Sequence, residues 1–108
     1  MGELQITVAR TRRQRAQGLL GRESLDPCEA LLLPRCRSVH TFGMRFPIAA
    51  VRLDRRWRVL GVGLLPPGRL LLAGLRTRAI MECRPQDQPD PGTDLRRAVE
   101  AAMAAASA

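Results

Sequence analysis

The sequence predicts an α+β, β-rich domain: a small barrel-like antiparallel or mixed sheet with a short N-terminal helix and a C-terminal helix. Three observations carry that expectation. Short apolar or alternating runs recur along the chain, each bounded by proline, glycine or charged residues. Helical patterning occurs twice only, once near each end. Aromatic residues are 3% of the 108 and hydrophobic ones 45%, so the one modest core must be aliphatic. Closure into a barrel is favoured because it removes exposed strand edges.

Leu4, Ile6 and Val8 alternate with polar residues, as a first strand with one buried face would. Thr11 to Gln14 has the form of a capping box and starts a helix running to about Leu20, with Gly21 as its left-handed end. Ala30 to Leu33 is a continuous apolar run, the mark of a strand covered on both faces, and Pro34 stops it. Ile48 to Leu53 reads as a strand with Val51 and Leu53 on one side. Its hairpin partner is Trp57 to Leu64, with Trp57, Val59 and Gly61 opposite Arg58, Leu60 and Val62, and Asp54-Arg55-Arg56 as the turn.

Leu65 to Gly68 must be a loop, and Leu70 to Leu72 a further buried piece. Thr77 to Cys83 is a strand in which Ala79, Met81 and Cys83 face away from Ile80 and Glu82. Residues 1–84 then form the β-rich domain, and 85–92, with three prolines and a glycine, a flexible linker. Residues 93–108 are a tail helix capped by Thr93, with Leu95, Val99, Ala102 and Met103 as its apolar stripe.

The net charge is +8, and all 18 basic residues are arginine. A surface selected for phosphate contact would mix arginine with lysine, so the exclusion of lysine points to coding bias. The balance favours anionic partners in general. Nucleic acid is not the expected partner: the arginine runs 10–15 and 52–58 lack interleaved aromatics, and no helix-turn-helix or RNA-binding signature is present. Residues 86–108 are acidic, with two arginines and four acids. The three cysteines have no CxxC spacing and no leader sequence precedes them, which suggests reduced thiols and a cytoplasmic location. No apolar run approaches the roughly 20 residues of a membrane span, so no membrane partner is expected.

The rare residues gather in one stretch, Cys36 to Ile48, which holds the only histidine and both phenylalanines. Gly18-Leu19-Leu20-Gly21-Arg22, His40-Thr41-Phe42-Gly43-Met44-Arg45-Phe46-Pro47-Ile48 and Val51-Arg52-Leu53-Asp54, in this order, resemble the domain of unknown function 192 family. Ala79-Ile80-Met81-Glu82 is similar to a later strand of that family. The resemblance covers roughly residues 5–84 and implies a compact β-rich fold with no established activity, cofactor or substrate. This chain departs from the pattern in three places. It has Ala49 where an acid is usual, no glycine near Trp57, and Cys83-Arg84-Pro85 where an Ala-Gly pair is common.

A polar pocket for an anionic small ligand is expected around His40 and Arg45, with Arg22, Thr41, Gly43, Met44 and Glu82 contributing. Histidine changes charge near neutral pH, arginine offers a planar fork to carboxylate or phosphate, and glycine lets a ligand approach the backbone. Glu82, ionised inside an apolar strand, would need a partner, and Arg22 or Arg45 is expected to supply it. The plainer alternative is a buried histidine bonded to a loop carbonyl beside solvated arginines. Phe42, Met44 and Phe46 are expected to alternate on a half-buried strand as core or pocket wall.

Cys28, Cys36, His40 and Cys83 could in principle form a zinc set, but their spacing matches no closed module, so no metal or other cofactor is expected. A Cys36–His40 nucleophilic pair is disfavoured because i and i+4 lie about 13 Å apart on a strand. The preferred reading is a non-catalytic binding or accessory module. The alternatives are an enzyme using His40 as acid or base with Glu82 orienting it, and an electrostatic nucleic-acid binder. The sequence does not identify a protein partner.

Overall fold

The computed structural model describes residues 3–11, 14 and 17–107. Its frame is a five-stranded sheet built around the strands whose residues are apolar on both sides. The strands of the chain are β1 (Gln5–Val8), β2 (Glu29–Pro34), β3 (Ser38–His40), β4 (Ile48–Leu53), β5 (Val59–Leu65), β6 (Leu70–Leu72) and β7 (Ala79–Cys83). The sheet order is β1-β2-β7-β4-β5, while β3 and β6 form a separate antiparallel pair. β1 runs parallel to β2, and β7 runs antiparallel to both β2 and β4. Every residue of β7 is buried, as its central place requires.

The sheets do not close into a barrel. Instead each face of the five-stranded sheet has its own cover, which protects the apolar side chains that closure would have enclosed. On one face Leu33, Ile48, Ala50 and Ile80 pack with Leu19, Leu25, Val39 and Met44 from the loops and the β3–β6 layer. On the other, Ala30, Leu32, Val51, Leu53, Met81 and Cys83 pack beneath α1 (Arg96–Ser107), whose Val99 is completely buried. Ala79, Met81 and Cys83 do face away from Ile80, following the period-two alternation.

The N-terminal helix expected between Thr11 and Leu20 falls partly on residues 12, 13, 15 and 16, which lie outside the described residues. Its capping box is nonetheless formed. The Gln14 N–H donates to Thr11 Oγ1 at 3.0 Å, and the Thr11 N–H donates to Gln14 Oε1 at 3.1 Å.

Several elements differ from the sequence reading for local reasons. The β4–β5 ladder passes from Arg52↔Gly61 to Leu53↔Val59, leaving Leu60 as an extra residue. That bulge reverses the alternation, so Val59 and Val62, expected on opposite faces, join the same core. The turn needs a left-handed residue but has no glycine: Trp57 takes φ 63° itself. Asp54 holds it, with Oδ1 accepting the Arg56 and Arg58 amides at 2.8 and 3.0 Å. Leu70 and Leu72, expected to be buried, are 55% and 72% exposed, because a two-stranded layer turns only Leu71 inward.

Residues 85–92 include a 3-10 turn, Pro85–Asp87, whose Asp87 carboxylate accepts the Cys28 amide at 2.8 Å. The following residues continue along β5: Gly92 N–H donates to Val59 O, Val59 N–H to Thr93 O, and Leu95 N–H to Trp57 O. The helix is capped one residue later than expected, by Asp94, whose Oδ1 accepts the Arg96 amide at 2.9 Å.

Candidate functional site

The segment Thr41 to Pro47 is a loop rather than the expected strand. Thr41 is fully buried and organises it. Its hydroxyl donates to Pro66 O at 2.6 Å and accepts the Arg69 amide at 2.8 Å, and its carbonyl accepts the Met44 and Gly68 amides. Gly43 follows at φ 80°, a left-handed turn outside the extended conformation of a regular strand. The turn breaks the alternation of the phenylalanines and methionine, so Met44 is buried while Phe42 is 52% exposed.

This loop, β3 and the 17–20 segment stand over the sheet and leave a cavity of about 180 Å3. Leu33 of β2 and Glu82 of β7 contribute from the sheet. Gln17 to Leu20, Cys36, Ser38 to His40 and Met44 complete the lining. Glu82 is 3% exposed and sits between Leu31 and Ala50 on the neighbouring strands. Its Oε1 has no hydrogen-bond partner among the described residues. Burial alone pushes its carboxyl up to about 7, since the low-dielectric surroundings disfavour the charged form.

His40 stacks on Phe42 with ring centroids 5.1 Å apart, and its Nδ1 accepts the Phe42 amide at 3.3 Å. The Cys36 thiol donates to Ser38 O at 3.0 Å. The cavity therefore combines one buried carboxyl, an imidazole and a thiol with walls of leucine, valine and methionine. Such a site can accept a hydrogen from a ligand and enclose a small apolar body.

Of the residues expected from sequence, Glu82, His40 and Met44 meet at this cavity. The two arginines do not pair with Glu82. Arg22 makes a bidentate bridge to Glu29 at 2.5 and 2.8 Å, and Arg45 reaches Glu23 at 3.2 Å on the surface. Each found an acid nearer to its own loop, and neither lines the cavity. The hydrogen bond from Arg22 is the main cause holding the Glu29 carboxyl below its ordinary value. Thr41 and Gly43 shape the loop but do not line the cavity either.

Ser38, Gln17 and Leu33 were not singled out from sequence, and Cys36 was weighed there only as a metal ligand or nucleophile, not as a wall of this cavity. Leu33 shares strand parity with Leu31, the cross-strand neighbour of Glu82, but that neighbour relation comes from the β2–β7 register and not from any local pattern. Cys36 and Cys83 are separated by the sheet: Cys36 packs on the cavity side and Cys83 on the helix side. Burial and the nearby Asp87 charge push the Cys83 thiol up to about 12, which leaves it un-ionised at neutral pH. Among the described residues no three His, Cys, Asp or Glu side chains converge as a metal site would require.

Fold and site together define a small β-rich α+β domain with a partly polar cavity on one face of its sheet. The chain belongs to the DUF192 family, described as uncharacterised, whose pattern matches residues 1–89. A solved protein of unknown function from Novosphingobium aromaticivorans is similar, with a TM-score of 0.71 and 20% identity over 84% of this chain and 73% of that one. A "putative transcription regulator" from Sinorhizobium meliloti is also similar, with a TM-score of 0.73 and 17% identity over 84% of this chain and 79% of that one. At these identities the likeness shows the fold alone. No curated protein matches the chain. Among the described residues no helix is long and apolar enough to cross a membrane.

Proposed function

We propose that the domain is a non-catalytic binding module whose ligand occupies the cavity beside Glu82. The observation that carries this reading is the buried carboxyl with an unpartnered Oε1 in the lining. A buried polar atom left unsatisfied costs on the order of 1–3 kcal/mol, and a ligand donor would remove that cost. An apolar cavity of roughly 150 Å3 accepts a molecule the size of benzene, so the space here suits a compact ligand of that scale. Its chemistry follows from the lining: an apolar body bearing an amine, amide or hydroxyl donor.

An anionic ligand was the expectation from sequence, with Arg45 as its anchor. Arg45 is engaged by Glu23 outside the cavity, and an anion would face Glu82. The donor-bearing ligand is therefore the better fit. The acid–base enzyme reading is supported by His40 and Glu82 sharing one cavity. Against it, His40 Nδ1 is occupied by the Phe42 amide and its ring lies against Phe42 at the rim.

Thermal-shift measurement with small amines, amides, phenols and carboxylates tests the proposal. At pH 8, where the parent carboxyl is ionised, amines or other donors are expected to raise the melting temperature of the parent and not of Glu82→Leu, which has no acceptor at this position. Stabilisation by carboxylates alone, or shifts that survive the substitution unchanged, would refute it.

A further inference from the structure

The strand register concentrates positive charge at one end of the sheet. β2 ends beside Arg35, β4 ends before Arg55 and Arg56, and β7 begins after Arg76 and Arg78. Pro34 and Leu53 both pair with Ala79, so these three chain segments meet at the same sheet end. Arg37 joins them ahead of β3, with its Nε donating to Thr77 O at 3.0 Å. Two depressions result. One, of about 440 Å3, is lined by Arg35, Arg37 and Arg78. The other, of about 460 Å3, is lined by Asp54, Arg55, Arg56, Leu75, Arg76 and again Arg78.

Apart from Asp54, whose carboxylate is attracted to Arg56, the counter-charges lie elsewhere. Glu29 opens β2 and Asp87 follows β7, at the opposite sheet end. The ion pairs formed among the described residues are Arg22–Glu29, Arg45–Glu23 and Arg84–Asp87, and none includes the six arginines. Asp54, the single acid of the lining, is held by the Arg56 and Arg58 amides in its turn. Coding bias explains arginine in place of lysine. It does not explain six guanidinium groups gathered without ion-pair partners, which repel one another until an anion lies between them.

We propose that this sheet end binds a chain of linked phosphates, such as inorganic tripolyphosphate or the triphosphate of a nucleotide. Arginine forks match phosphate oxygens two at a time. Three adjacent strands span about 10 Å, a width that suits a few consecutive phosphates rather than the face of a duplex. No aromatic side chain lines either depression, so the base stacking used by single-strand binders has no platform. Neither lining includes a residue of the Glu82 cavity.

Titration calorimetry of the full chain with tripolyphosphate and with adenosine triphosphate, at low and physiological salt, tests the site. A short DNA duplex and single strand serve as competing probes. Arg78→Gln and Arg35→Gln are expected to weaken binding of tripolyphosphate about tenfold each, equivalent to ~1.4 kcal/mol. Arg97→Gln, on the exposed side of α1, removes the same charge elsewhere and should change it less than about twofold. Binding of tripolyphosphate, with or without a preference for the nucleotide, supports the proposal when it shows this dependence. Absence of binding by both phosphate probes at low salt overturns it. So does an equal loss in Arg97→Gln, or tighter Arg78-dependent binding of either DNA than of tripolyphosphate.

Discussion

Replacing Glu82 with glutamine isolates the energetic consequence of a carboxyl buried without a partner. Burial raises this group from 4.5 to about 7 in the folded protein, while the unfolded chain keeps the ordinary value. Between those limits the folded state holds a proton that the unfolded state has lost, so stability must fall as pH rises. The contribution is fully present below about pH 4.5 and is lost as pH passes through 7. At ~1.4 kcal/mol per unit the whole loss is about 3 kcal/mol, most of which falls between pH 5 and 8. The carboxyls of Glu29, Asp54 and Asp87 are all held low. They titrate below this window with the opposite sign, and do not mask the effect. Urea denaturation from pH 5 to 8 should show the decline in the parent, with Glu82→Gln nearly flat by comparison. The same slope in both proteins would show that Glu82 is not the group responsible, and a flat parent would show that the carboxyl is not desolvated as described.

Three further outcomes follow from packing. Thr41→Val keeps the shape but removes a hydroxyl that bridges Pro66 and Arg69; urea unfolding should show a loss of about 2–3 kcal/mol. Ala49→Asp restores the acid usual in the family at a fully buried position between Cys83 and Leu64. It should lower stability by on the order of 2–4 kcal/mol, measured as a fall in melting temperature. Val99→Ala removes two buried methyl groups from the helix contact and should cost about 1.6 kcal/mol or more, read from the urea midpoint.

The parts of the fold legible in the sequence are those governed by period alone. Ile48 to Leu53 reads as a strand because its apolar run is bounded by Pro47 and Asp54, and the structure has it with the same limits. The failures occur where one residue changes the geometry. Leu60 shifts the ladder, Trp57 takes a glycine's conformation, and Gly43 turns a segment whose side chains alternate like a strand. Barrel closure depended on pairings far apart in sequence, such as β2 with β7, which no local pattern specifies. Glu82 could be picked out because a charge in an apolar strand is conspicuous. Its surroundings could not, because arginine pairs with whichever acid the loops bring close: Arg22 found Glu29 only seven residues away.

The C-terminal helix carries a practical consequence for how the domain is delimited. The family pattern ends at residue 89, yet Val99 and Met103 of α1 belong to the core beneath Val51 and Met81. The unit recognised by descent and the unit that folds therefore have different ends. A chain cut at the family boundary would keep the Glu82 cavity, which lies across the sheet, while exposing an aliphatic face to water. Loss of solubility in such a fragment would reflect the missing cover rather than any failure of the cavity face.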